Sequence, residues 1–153
     1  MQHFSSVTVV VPDYDEAIAF NVAKLGFSLA EDTPISATKR WVVVMPPGAT
    51  QTGLLLAKAD GPEQHASIGA QSGGRVFLIL KTNDFDRDYA RFVSQGIAFL
   101  EAPRSEAYGK VVVFRDVFGN TWDLIGPPAK MRYQYSPHTN RELSGMACDW
   151  LNL

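Results

Sequence analysis

The stretch PDYDEAIAFNVAKLGFSLAED occupies residues 12–32, and a second stretch of the same design, TNDFDRDYARFVSQGIAFLEA, occupies residues 82–102. In each, an apolar run ends at an Asp, which is followed by an aromatic residue, another Asp, an amphipathic segment and a Gly. An Asp at a helix start accepts hydrogen bonds from the free N–H groups of the first turn, and a Gly ends the helix in a left-handed conformation. The repeat therefore predicts two similar modules, each with a capped helix between strands.

Apolar runs around these helices predict the other strands of each module. The first module is predicted to have strands at 4–11, 27–31, 40–45 and 53–59 and a helix over 13–25. The second is predicted to have strands at 75–81, 97–102, 110–115 and 121–125 and a helix over 84–95. The chain is thus divided into a βαβββ module (1–59), a Gly-rich connector (60–74), a second βαβββ module (75–127) and a tail (128–153), which we expect to be partly ordered. Neither module can cover its apolar sheet face alone, so an α+β fold is predicted whose modules share a core or pair with another chain.

Size and charge exclude several classes of function. The chain has 153 residues, of which 46% are hydrophobic, as in one globular domain or two small half-domains. Its net charge is −2, with acids and bases mixed, so neither nucleic acid nor a membrane surface is expected as a partner. No apolar run approaches the roughly 20 residues that span a bilayer. Since there is no basic leader and only one cysteine, Cys148, we expect a cytoplasmic protein with an incidental thiol.

The two βαβββ units, the LGF helix stop at residues 25–27 and the closing DVFGNTWDLIG at residues 116–126 resemble the vicinal oxygen chelate superfamily. This superfamily contains glyoxalase I, extradiol dioxygenases, fosfomycin-resistance enzymes and bleomycin-binding proteins. The resemblance spans residues 4–127. It implies mostly antiparallel sheets that curl into a cup, with the helices outside and the ligand site within, and it implies a homodimer.

Metal-using members of the superfamily hold a divalent ion with side chains on the first and last strands of each module. The matching places in this chain hold Ser6, Leu54, Phe77 and Asp123. A divalent ion needs several imidazole or carboxylate donors, and neither Leu nor Phe can ligate. The resemblance therefore implies that the metal site is lost, so no cofactor is expected, and a divalent metal would have an incomplete ligand set. The histidines, which are expected on the surface or in loops, are His3, His65 and His138.

The residue that carries most of the predicted chemistry is Asp123. As a half-buried carboxylate it could act as a base or anchor a cationic ligand, or it could form a structural ion pair with Arg75 or Lys81. Trp41 and Tyr108 either stack on a planar ligand or are ordinary core aromatics. Trp122 alternates with Asp123 along the strand and is therefore expected to point toward the helix layer. The loop around Tyr108 forms either a mobile rim over the cup or a plain hairpin turn. The predicted ligand-binding residues are Ser6, Thr8, Trp41, Leu54, Phe77, Tyr108 and Asp123.

Together these features predict a protein that binds a small organic ligand in an apolar cup and acts by sequestration. The alternative is a metal-dependent lyase, isomerase or dioxygenase of the same superfamily, for which the sequence names no catalytic residue. A third interpretation is a structural partner domain whose cup is filled by its own side chains.

Overall fold

The structure, a computed structural model, describes residues 1–128. Residues 129–153 of the tail, for which partial order is predicted, lie outside this range. Cys148 and His138 belong to that part of the chain. Within the described range, nine strands form two sheets, and no helix is long and apolar enough to cross a membrane. The predicted α+β fold with a repeated βαβββ order is confirmed.

The first module forms a four-stranded sheet. Its elements are β1 (Ser6–Val11), α1 (Tyr14–Ile18), β2 (Ser28–Pro34), β3 (Arg40–Met45) and β4 (Gly53–Lys58), with a π-helical segment (Ala19–Lys24) that continues α1. The strand order is β1-β4-β3-β2, in which β1 and β4 are parallel and the other pairs antiparallel. As predicted, the side chain of Asp13 caps α1 by accepting a hydrogen bond from the Glu16 N–H at 2.9 Å.

The second module forms a five-stranded sheet. Its elements are β5 (Leu78–Lys81), α3 (Phe85–Ser94), β6 (Ala98–Phe99), β7 (Arg104–Glu106), β8 (Gly109–Arg115) and β9 (Thr121–Gly126). The strand order is β5-β9-β8-β6, with β7 paired to β8. Glu106 lies opposite Gly109, so the loop around Tyr108 is a tight hairpin turn. Asp84 caps α3 by accepting a hydrogen bond from the Arg87 N–H.

The connector contains a short helix that the sequence did not predict, α2 (Gly61–Ser67). Pro62 stands in its first turn, where the missing N–H costs nothing and the fixed φ suits a helix. The Gln64 side chain accepts a hydrogen bond from the Asp60 N–H at 2.9 Å. These two local features outweigh the Gly-rich composition that favoured an irregular connector.

The two modules share one hydrophobic core within the chain. It is formed by the helices and by the sheet faces toward them, so that Val9, Val42 and Leu56 of the first sheet belong to the same cluster as Phe114 and Leu124 of the second. Aromatic rings join the modules directly. The Phe27 and Trp122 ring centroids are 6.2 Å apart, and those of Phe20 and Phe118 are 6.5 Å apart. The prediction that Trp122 points toward the helix layer is thereby confirmed.

Candidate functional site

Each sheet has one face turned away from the shared core, and we call these the first and second cup faces. Side chains alternate along a strand, so β1 places Val9 and Val11 in the core and Thr8 on the other side. Thr8 pairs with Leu55 of β4, which pairs in turn with Val43 of β3. The members of the first cup face are Ser6, Thr8, Trp41, Val43 and Leu55.

The second cup face is centred on Asp123. In the ladder this residue lies between Ile79 of β5 and Val113 of β8, and directly opposite residues of neighbouring strands share a face. The Ile79 side chain is 63% exposed, which means that nothing in the described chain covers this part of the sheet. A single acid therefore stands on a sheet face whose nearest neighbours are aliphatic.

The carboxyl group of Asp123 is perturbed by its surroundings. Burial raises its pKa above the usual range, the nearby Arg104 guanidinium acts in the opposite direction, and the Glu101 carboxylate raises it again. Its Oδ1 atom is buried without a hydrogen-bond partner in the described part of the chain. No ion pair joins Asp123 to Arg75 or Lys81 within residues 1–128, so the interpretation as a structural ion pair with either residue is wrong.

A fixed cation, Arg104, stands close to this acid. Its Nε donates to Glu101 Oε1 at 3.1 Å, and Nη1 donates to the Glu106 carboxylate. Tyr108, Glu106 and Glu101, in that order, raise the pKa of Arg104 further above its ordinary value. Glu101 is held in turn by the Val113 N–H at 3.1 Å. Tyr108 and Asp123, both predicted site residues, are thus brought together through a residue that the sequence did not single out.

The direction of β9, and with it the position of residue 123, is set by the turn that follows β8. One buried carboxylate, Asp116, accepts four hydrogen bonds there. The donors are the backbone N–H groups of Phe118 and Asn120, the Asn120 side-chain amide and the Trp122 indole N–H, at 2.9 to 3.1 Å. Gly119 completes the turn with φ of 101°, which a side chain would disfavour. The turn formed by the DVFGN signature therefore fixes the direction of β9 and so places Asp123 on the cup face.

Trp41 lies at the edge of a cavity of about 460 Å³ at one end of the first sheet. The cavity is lined on the cup side by Trp41, Leu55 and Ala57, and on the helix side by Tyr14 and Arg40. The Trp41 side chain is 42% exposed, although a Trp with no role at the surface would normally be buried. The volume lies within the range of about 300–1,000 Å³ that small-molecule sites occupy.

The seven predicted ligand-binding residues fall into three groups. Ser6, Thr8 and Trp41 lie on the first cup face, Asp123 lies on the second, and Tyr108 lies next to Arg104 beside the second. The other two, Leu54 and Phe77, pack with the core.

Leu54 was misplaced because a shift of one residue moves a side chain to the opposite face of a sheet, and Leu55 occupies the cup face instead. Phe77 stands just before β5, where Ile79 is the residue that faces Asp123. Arg104 and Glu101 were missed entirely. Arg104 lies on β7, which is too short to show a period in the sequence, and Glu101 lies in the segment before it.

These residues do not fit a divalent metal ion. Of the four places implied by the resemblance, only Asp123 offers a strong donor. Its charged neighbours are the cation Arg104 and Glu101, whose carboxylate already accepts hydrogen bonds from Arg104 and from the Val113 N–H. Within residues 1–128 no three His, Cys, Asp or Glu side chains are grouped as a metal site requires. One carboxylate beside a guanidinium cannot replace the water shell of such an ion.

Comparison with known proteins agrees with this architecture. The sequence profile of the Glyoxalase/Bleomycin resistance protein/Dioxygenase superfamily matches residues 3–124, and the chain belongs to this superfamily. The resemblance drawn from the repeat and its motifs is thereby confirmed. An uncharacterized protein of Shewanella frigidimarina is 54% identical over 125 residues, which are 81% of this chain and 93% of the relative.

Two solved structures are similar to this chain in both fold and sequence. UcmS2 has a TM-score of 0.71 and 29% identity, over 82% of this chain and 98% of that protein. TnmS3, an antibiotic binding protein from Streptomyces sp. CB03234, has a TM-score of 0.67 and 32% identity, over 83% of this chain and 97% of that protein. The fold and a likeness to an antibiotic-binding protein are thus established together.

Proposed function

We propose that the protein binds a small organic molecule in an apolar cup, without a divalent metal, and acts by sequestering that molecule. The second cup face carries this proposal, because one half-buried acid, Asp123, stands there among the aliphatic side chains of Ile79 and Val113. Mostly apolar walls with a few polar groups that fix orientation are typical of small-molecule sites. The description of TnmS3 as an antibiotic binding protein supports the same function.

The buried Asp123 oxygen without a hydrogen-bond partner indicates that the ligand supplies a hydrogen-bond donor. A buried acceptor without a donor is costly, and a ligand that donates to it recovers that free energy on binding. A hydroxyl, an amine or an N–H group meets this requirement. Trp41 and Tyr108, which are exposed on or beside the cup faces, offer rings for stacking with a planar ligand.

The ligand site is proposed to form between two copies of the chain. Both cup faces point away from the core that joins the modules, and residues 1–128 leave both of them uncovered. Large apolar side chains are exposed there, at 42% for Trp41 and 63% for Ile79, and such patches mark interaction surfaces. A homodimer in which the first cup face of one chain meets the second cup face of the other would enclose both faces.

The probe for the cup is N-phenyl-1-naphthylamine, a neutral aromatic dye with one N–H donor, whose fluorescence rises in apolar sites. We expect Trp41→Ala and Asp123→Asn each to weaken its binding by roughly three- to tenfold, through loss of one ring contact or one charge-assisted acceptor. Val117→Ala, at an exposed site in the turn after β8, is the matched control. Equal affinity in all four proteins would refute the proposed site.

Metal analysis separates sequestration from the enzymatic alternative. We expect protein dialysed against Zn²⁺, Ni²⁺, Mn²⁺ and Fe²⁺ to retain far less than one ion per chain, and dye binding to be unaffected by EDTA. Stoichiometric metal with turnover of a substrate would favour the lyase, isomerase or dioxygenase instead.

Light scattering tests the dimer. Ile79→Glu places a charge on the second cup face and is expected to yield monomers, whereas Val117→Glu is expected to leave the mass unchanged. A monomeric wild-type protein would contradict the composite cup.

We also place the protein in the cytoplasm, which the single cysteine supports and cell fractionation would test.

A further inference from the structure

A second cavity, of about 480 Å³, lies between the two modules and is separate from the Trp41 cavity. The first module contributes residues 25–27, which follow the π-helical segment, and the turn at Pro46 and Pro47. The second module contributes the end of β5 and one side of α3. Its walls include Leu25, Phe27 and Phe92, which belong to the shared core on the helix side of the sheets. This inter-module cleft is therefore distinct from the cup, and its occupancy does not depend on the proposed function.

The lining of the inter-module cleft is rich in cations. Arg87, Arg91 and Lys81 line it, against a single lining carboxylate, that of Asp88. Asp88 is already engaged, because it accepts hydrogen bonds from Arg87 Nε at 3.0 Å and from the Thr82 hydroxyl. The cleft thus keeps an excess of positive charge after its internal pairing.

Arg91 is the cation best placed to bind an anion. Its Nη1 donates to the Leu25 carbonyl oxygen at 2.7 Å, which fixes the guanidinium at the wall of the cleft. No carboxylate within residues 1–128 forms an ion pair with it. A guanidinium carries five N–H donors in a planar fork that matches a carboxylate, and the Leu25 carbonyl oxygen takes one of those on Arg91.

The remaining walls are apolar. Phe27 and Phe92 are almost completely buried, and Pro46 and Leu80 add aliphatic surface beside them. A ligand that suits both kinds of wall has an apolar body and one anionic group. We propose that the inter-module cleft is a second binding site, for a small organic carboxylate whose anionic group pairs with Arg91.

Benzoate is the probe, and benzyl alcohol is its neutral counterpart of the same shape. In calorimetric titrations of the full chain, we expect benzoate to bind at least about tenfold more tightly than benzyl alcohol, because only benzoate accepts charge-assisted hydrogen bonds. Inorganic phosphate is expected to bind more weakly than benzoate, since it lacks an apolar body. Equal affinities for benzoate and either comparison compound, or no binding of benzoate, would overturn the proposal.

Variants locate the site. Arg91→Lys, which keeps the charge but loses the planar fork, is expected to weaken benzoate binding about tenfold. Arg115→Gln, an exposed arginine elsewhere on the second module, and Trp41→Ala in the cup are the controls, and both should bind as the wild type does. If Trp41→Ala abolishes binding while Arg91→Lys does not, benzoate occupies the cup and the second site is refuted. A denaturant unfolding curve for each variant verifies that it is folded.

Discussion

Arg91 in α3 donates a hydrogen bond to the carbonyl oxygen of Leu25, 66 residues earlier in the chain, and so ties the second module to the first. The contact requires Gly26, which has φ of 78°, because a Cβ atom there would overlap the Arg91 guanidinium. The glycine that ends the first helix therefore also makes room for the inter-module hydrogen bond.

Loss of this hydrogen bond should weaken the whole fold. Arg91→Met leaves the Leu25 carbonyl oxygen without its donor, and we expect the free energy of unfolding to fall by about 1–3 kcal/mol in urea titrations. The matched control is Arg87→Met, one turn earlier and 59% exposed, which should change stability far less than Arg91→Met does. Equal effects of the two substitutions would show that the inter-module hydrogen bond contributes nothing.

The turn after β8 should be far more sensitive than an exposed ion pair. Asp116→Ala removes the acceptor of four hydrogen bonds and leaves buried donors unsatisfied, so we expect a loss of about 3 kcal/mol or more. Asp15→Ala removes the exposed partner of Arg40 and should cost less than about 1 kcal/mol. Chemical denaturation measures both, and an Asp116→Ala protein as stable as Asp15→Ala would contradict the role given to the turn.

Asp123 should make the protein less stable as the pH rises. Its pKa is raised in the folded state by burial, so the folded protein binds this proton more tightly than the unfolded chain does. Stability is then lost as the pH rises from the unfolded value, 3.8, through the higher folded pKa. We expect Asp123→Asn to be more stable than the wild type at pH 7, by an amount that shrinks on acidification.

The opposite sign is expected for Asp32. The hydrogen bond from Arg40 is the main cause that lowers the pKa of Asp32, so its stabilising effect is present above pH 3.8 and is lost as the pH falls through the folded pKa. Asp32→Asn should therefore be less stable than the wild type at neutral pH. Unfolding curves collected across the acid range compare the two variants, and shifts of the same sign would refute the assignment for Asp123.

Substitutions of Trp41 and Trp122, the two tryptophans in the described strands, should distinguish an effect on stability from an effect on ligand binding. Trp122 is 3% exposed and packs on Phe27 and Phe114, so Trp122→Ala is expected to cost about 3–5 kcal/mol. Trp41→Ala, at an exposed position, should cost much less stability but reduce dye binding. If Trp41→Ala destabilises the fold as severely as Trp122→Ala, Trp41 is a core residue and its role in the cup is wrong.

The repeat and the helix ends could be predicted because their signals are local. Asp13 and Asp84 cap the two helices as their positions before an amphipathic run predict, and Trp122 turns inward because it alternates with an acid. These inferences need only the spacing of neighbouring residues.

Residue placement within the cup could not be predicted as well, because the necessary signal is absent from the local sequence. In β4 the run Leu54, Leu55, Leu56 is apolar throughout, so its sequence does not say which side chain faces the core. Arg104 reaches the site on a three-residue strand, too short for a period, and its contacts with Glu101 and Tyr108 depend on strand pairing.

The geometry of the turn that Asp116 organises has a consequence for protein engineering. The four hydrogen bonds to Asp116 fix the backbone of the turn, and none of them involves Asp123. The path of β9 therefore does not depend on which side chain stands at position 123. A designer can exchange the displayed side chain, acid for amide, imidazole or hydrocarbon, while the scaffold that aims it stays the same. The chemical group that the pocket presents at position 123 can therefore be changed without a change in the backbone that positions it.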